Sequence, residues 1–378
     1  MKNIMVYLYA IFLLLFSVFS YTFIDPNLMY LEDIYSGFAF DNRFITTFLY
    51  VIFISVFFIF YGSFVWLGLR KKLRFKDVFI LVSITIGGLI FSYPAMLSYD
   101  IFNYITTSKV LFFYSENPYI IMPIEFIGDT FLSFTHAANK IALYGPIWIL
   151  LTGIPYVLGL GNFIITLLSF KIFIALFYAA TTILIWKISK NIIPLILFAF
   201  NPLIIIETLV SGHNDIVMIF LVLLSFLLLI KKKIFLGTLF FVLSIFIKYT
   251  TILLFPVFLF MVWKTIRKKE FRLEKVFYYS SLLMIIAFLL SPIREEIYPW
   301  YAIWFLSFTF LIPEKKLLLY ISIAFSFGLL FKYIPFMLSG THAGISPLIK
   351  LIVTFVPAIL ISFYIILRTK LWERIFSR

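Results

Sequence analysis

Three polar residues, His213, Asn214 and Asp215, stand in a row inside "SGHNDIVMIF", with Leu, Ile, Phe and Val on both sides. A histidine and a carboxylate together can move a proton or meet an anion. Other groups able to do chemistry are spread along the chain: Asp100 in "SYDIFNYI", Tyr144 in "LYGPIW", Lys171, Glu207, Lys248 in "IKYT", Arg294, and Trp300, Tyr301 and Trp304 in "PWYAIW". Asp100 next to Tyr99 and near Tyr104 suits a general base. Lys248, His213, Lys171 and Arg294 are the cations that could receive a departing anion. Each also has a purely structural reading. Asp100 could cap a helix starting at Ile101, Lys171 could snorkel, the aromatic run could be an interfacial belt, and Asn117-Pro118 and Gly145-Pro146 are turn signals.

The elements that must position these groups are membrane helices. The chain has 378 residues, is 63% hydrophobic and has a mean hydropathy of +1.11, with only 13% charged residues. That composition excludes an ordinary soluble domain and predicts an all-α, polytopic membrane bundle. With no cysteine, disulfides, thiolate metal sites and cysteine nucleophiles are excluded. The net charge of +14 comes from basic loops that orient spans and does not call for nucleic acid.

Apolar runs predict spans at 4–24, 44–69, 78–97, 164–187, 191–210, 214–231, 276–292, 298–312, 316–336 and 347–368, with a short pair, 234–247 and 249–263, meeting at Lys248. Together these make about twelve crossings of about 20 residues each, the short pair excepted. The first run lacks a cleavage site and reads as a retained helix. Placing the basic clusters in the cytoplasm collects most of the 31 Lys and Arg there, with both termini, and leaves most of the acids outside. Residues 144–161, broken by Pro146, Pro155 and glycines, then read as a juxtamembrane helix that does not cross. This topology gathers Asp100, the long loop 98–163, Lys171, Glu207, "GHND", Lys248 and 294–304 on the outer face, and ionisable groups gathered there mark a functional site.

The order "YDIFNY", "NPY", "YGP.W", "NPL", "GHND..M", "IKYT", "PWY..W" resembles the GT-C glycosyltransferases, closest to the α-1,6-mannosyltransferase-related branch, over about residues 78–310. The resemblance implies a GT-C-like module at 78–310 with juxtamembrane helices in its first large outer loop, two N-terminal transmembrane helices at 1–77, and C-terminal helices at 311–378. It implies transfer of a sugar, mannose for this branch, from a polyprenyl-phosphate donor lipid to a glycan or glycolipid acceptor of the cell envelope, with inversion. Asp100 falls on the family's base. Lys248, His213, Asn214, Asp215, Lys171, Arg294, Tyr104, Tyr144, Trp300, Tyr301 and Trp304 fall around the donor phosphate and substrates. Asp100 and Asp215 leave room for a divalent ion, Mg or Mn. The competing reading is a transporter or lipid-linked-sugar flippase, whose charges would sit at mid-membrane on broken helices. No inverted repeat is visible.

Overall fold

A computed structural model describes residues 2–24, 37–270, 272–293 and 296–376. Among these residues the protein is all-α, with no strand. In lipid a helix satisfies its own backbone groups, which is why an apolar chain takes this form. Two compact units divide the chain. The first holds Met1–Asn42, Phe75–Ile188 and Ile205–Phe271, and the second holds Arg43–Arg74, Ser189–Ile204 and Arg272–Arg378.

In the first unit, Lys2–Ser20 packs against Phe75–Leu89, with the Tyr9 and Thr85 hydroxyls 2.9 Å apart. Asp100–Phe112 packs on Pro146–Leu158, where Gly153 lies so close to the Phe112 ring that a Cβ would approach it to 2.5 Å. Asp215–Ile230 and Ile234–Ile247 form a tight hairpin. Ser225 donates to the Gly237 carbonyl at 2.7 Å, and Ser244 to the Met218 carbonyl at 3.0 Å. Small hydroxyl residues of this kind hold apolar helices together where lipid offers no hydrophobic drive.

In the second unit, Arg43–Leu69 packs on Ile192–Ala199 through Gly68 and Ile196. Lys316–Phe331 runs along Ser346–Phe376, with the Gly328 backbone laid on the Val353 and Thr354 carbonyls. Asn201 caps the turn after Ala199 by accepting from Leu203 and Ile204, and donates to Ser326 at 3.0 Å.

Among the described residues, seven helices are long and apolar enough to cross a membrane, or eight if Ile192–Ala199 and Pro202–Val210 make one broken span. The expected count of about twelve is therefore not reached by length. Of the predicted spans, 78–97 is a 15-residue helix, 214–231 a 16-residue helix, 234–247 a 14-residue helix, and 298–312 a short 3₁₀ turn followed by eight helical residues. The physical reason is local. Proline, glycine and polar turns stop these helices short of the ~30 Å hydrocarbon layer. Pro146–Leu158 has 13 residues, too few to cross, in keeping with the juxtamembrane reading.

Candidate functional site

The expected groups of the first unit converge around one segment, residues 206–215. Ile206–Val210 is a π-helical turn, a rare geometry that recurs at functional sites. Gly212 closes it at φ +75°, a conformation that disfavours any residue with a Cβ. Its backbone folds back on itself, with the His213 N–H donating to the Glu207 carbonyl at 3.0 Å. The turn thereby brings Glu207 and His213 side by side: Nε2 of His213 is 3.3 Å from the Glu207 carboxylate and Nδ1 is 3.4 Å from the Asp100 carboxylate. These contacts are long and read as ion pairs more than as aligned hydrogen bonds.

His213 lies between helices, outside any span. Its complete burial pulls the imidazole pKa down. Asp100 and Glu207, by hydrogen bonding and by charge, outweigh this and raise it from 6.5 to about 9. At neutral pH the ring is an imidazolium, so each nitrogen carries a proton and faces one carboxylate.

Asp100 is the first residue of the Asp100–Phe112 helix. The N-cap is Tyr99, and it makes no side-chain cap bond. The capping reading of Asp100 is thus not what the fold uses. Its carboxylate sits in the positive end of the helix dipole, beside His213. Its side chain is 28% exposed, while Glu207 and His213 are fully buried. Asp100 is therefore the member of this trio that a substrate can reach.

Asp215 opens the Asp215–Ile230 helix and is fully buried, 2.8 Å from the Lys248 ammonium. Lys248 caps the end of Ile234–Ile247 in an extended conformation and keeps 23% of its side chain exposed. The arrangement repeats. One accessible charged group, Asp100 or Lys248, is backed by a buried partner from the 207–215 segment. His213 and Asp215 face these two groups and meet no solvent.

The "YGP.W" motif has a geometric reason. Gly145 is the N-cap and Pro146 the first residue of the Pro146–Leu158 helix. Gly145 lies against the end of the helix that carries Lys248. Its N–H donates to the Ile247 carbonyl at 3.3 Å, and a Cβ would stand 2.1 Å from the Phe246 carbonyl oxygen. Tyr144 and Trp148 then meet the Tyr104 ring edge-on, with centroids 4.7 and 5.0 Å away. The Tyr104 hydroxyl accepts from the Asn214 N–H at 3.4 Å. Burial first, and the neighbouring Asp100 charge second, push the Tyr104 pKa well above 10, so it stays a neutral phenol. Asn117 is a turn residue that accepts from Tyr119, whose hydroxyl in turn donates to the Tyr144 carbonyl at 2.7 Å.

One expected residue of the first unit stands apart from this cluster. Lys171 is buried and donates to Ser92 Oγ at 2.9 Å, to the Ser92 carbonyl and to the Leu89 carbonyl at 3.2 Å. It caps the end of the Phe75–Leu89 helix, and those oxygens account for it without a ligand. Arg294 lies outside the described residues. Trp300, Tyr301 and Trp304 belong to the second unit, where Trp300 stacks on Tyr298 at 4.5 Å and Trp304 on Tyr301 at 4.3 Å.

The residue to which sequence reasoning assigned no role is Glu207. Its signal was present as a lone acid in the apolar run "IIIETLV", which is costly unless it is used. Only the π turn shows what it touches. Asp215 is engaged by Lys248, and among the described residues no group of three or more His, Asp or Glu could hold a metal.

A family model described as "Alpha-(1->6)-mannopyranosyltransferase, N-terminal domain" matches residues 7–265. That span contains Asp100, Tyr104, Tyr144, Glu207, His213, Asp215 and Lys248. No curated protein and no solved structure matches the chain.

Proposed function

Because this chain belongs to the alpha-(1->6)-mannopyranosyltransferase family, we propose that it is a membrane mannosyltransferase drawing on a polyprenyl-phosphate mannose donor, with its site at the outer face. The observation that carries this reading is the pair of accessible, oppositely charged groups, Asp100 and Lys248, each braced by a buried partner.

An acceptor hydroxyl attacks the anomeric carbon of the mannose. The new C–O bond forms as the bond from that carbon to the phosphate oxygen breaks, with inversion. The hydroxyl proton passes to the Asp100 carboxylate. The electron pair of the broken bond leaves with the polyprenyl phosphate, and Lys248 meets the charge that develops there. His213 and Glu207 touch no substrate. They are positioning residues that fix the Asp100 carboxylate. Tyr104, Tyr144 and Trp148 form the apolar wall beside it, which excludes water from the reacting centre.

The apolar, helical character of the chain supports a lipid donor. A nucleotide-sugar is bound in soluble α/β domains with parallel strands, whereas the described residues hold helices and no strand. The acceptor is a glycan or glycolipid with a free primary hydroxyl, the group that a (1→6) linkage requires. Twelve crossings with both termini inside remain the topology that the basic loops favour.

Asp100→Asn tests the reaction. The change is close to isosteric and spares the helix, because Asp100 is not its cap. Transfer should fall about 10²- to 10⁴-fold, the scale of removing a general base, with donor lipid still bound. Near-normal transfer by the variant would refute the role.

A further inference from the structure

The second unit carries a cavity of about 280 Å³ walled by Leu351, Thr354 and Phe355. Four ionisable side chains line it: Glu296, Lys332, His342 and Lys350. Every residue is outside the family match at 7–265. Lys332 and Lys350 are 7% and 8% exposed, so both ammoniums are taken out of water. Among the described residues a single carboxylate, Glu296, answers both, at 2.7 Å from Lys332 and 3.4 Å from Lys350. Two buried cations on one shared carboxylate leave one positive charge over, at a cost that a membrane protein does not meet for structure alone. One lysine would suffice to tie the Glu296 segment to a neighbouring helix.

Lys332 also donates to the Ile297 carbonyl. Lys350 Nζ is 2.9 Å from His342 Nδ1, and an ammonium can only donate. Nδ1 of His342 is thus the acceptor, and the ring proton sits on Nε2. Burial, and then the Lys350 charge, lower the His342 pKa. Ser346 stands one turn before Lys350, on the same face of the Ser346–Phe376 helix. It is 3% exposed, and its hydroxyl has no hydrogen-bond partner. It also opens that helix, where backbone N–H groups favour anions. Surplus positive charge, a set of donors, an unmatched buried hydroxyl and a cavity far larger than a water describe a receptor for an oxyanion.

We propose that Lys332, His342, Ser346 and Lys350 of the second unit form a binding site specific for a phosphate group.

The test uses the full chain in detergent carrying Lys248→Met with Asp215→Asn, so that the phosphate contact proposed at the first centre is absent. Binding of farnesyl phosphate, farnesol and inorganic phosphate is read by native mass spectrometry and by thermal shift. Farnesyl phosphate should bind and farnesol should not. Lys350→Gln should abolish the binding. Ser346→Ala, which removes no contact within the protein, should weaken it about 10-fold, the scale of one hydrogen bond to a charged group. Binding of inorganic phosphate at comparable affinity identifies a free-phosphate site, and binding of farnesyl phosphate alone identifies a lipid headgroup site. Failure of both phosphates to bind, equal binding of farnesol, or binding unchanged by both variants would overturn the proposal. None of these results bears on Asp100, so the transferase reading stands or falls separately.

Discussion

At the scale of single residues, the site works by pairing. His213 is an imidazolium because two carboxylates hold it, and its raised value of about 9 sets a pH window. A group whose folded value lies above its unfolded one, here 6.5, contributes stability in full below the unfolded value and loses it as pH rises through the folded value. The contribution of His213 is therefore complete below about pH 6.5 and gone above about pH 9. If the imidazolium orients Asp100, the alkaline limb of the pH–rate profile falls near that upper value. Glu207→Gln removes one of the two charges, so the limb should move to lower pH while donor KM stays nearly constant. A profile unmoved by Glu207→Gln would show that His213 does not govern Asp100.

Lys248 and Asp215 obey the same logic with the signs exchanged. Lys248→Met alone strands a fully buried carboxylate, which costs about 3–5 kcal/mol. The Lys248→Met, Asp215→Asn pair removes both charges and should recover most of the lost thermal stability. Transfer should remain about 10²-fold down, the scale of losing one preorganised donor. Recovery of activity together with stability would mean that Lys248 serves the fold alone.

At the scale of elements, glycine placement sets the site. Gly145 lets the start of one helix rest on the end of another, and this contact holds Tyr144 beside the Lys248 turn. Gly145→Ala would put a Cβ 2.1 Å from a backbone oxygen, so two helix ends must part. The variant should lose stability by more than 1 kcal/mol, the low end of overpacking, and should lose turnover along with it. A thermal midpoint and turnover both equal to the parent's would contradict this packing.

Much of the site was legible in the sequence at this scale. "YGP.W", "GHND" and "IKYT" marked Tyr144, His213, Asp215 and Lys248, and those residues do gather in one unit. Their partners were not legible. Sequence spacing assumes α-helical geometry, but Glu207 reaches His213 through a π turn and a positive-φ glycine. Lys171 misled for the same kind of reason. A lysine in an apolar run signals use, yet here the use is to cap the end of the Phe75–Leu89 helix.

At the scale of the whole molecule, hydropathy was enough for the class, while helix length among the described residues does not confirm the count of about twelve crossings. Apolar content alone cannot tell a 20-residue span from a 14- or 16-residue helix that stops within the layer. Stops such as Lys231–Lys233 and Asn201-Pro202 cut the lengths to seven helices that span by themselves. An all-helical chain with buried charge pairs and a large exposed apolar surface, including Leu14, Val18, Leu176 and Phe363, belongs in lipid. The proposed donor is a lipid, and this is the claim on which the account rests. It is tested most directly by giving the purified protein polyprenyl-phosphate mannose or GDP-mannose, each with an α-mannoside acceptor, and reading the product linkage. The account predicts (1→6) transfer from the lipid donor and none from the nucleotide. Transfer from GDP-mannose with no lipid carrier present would contradict it.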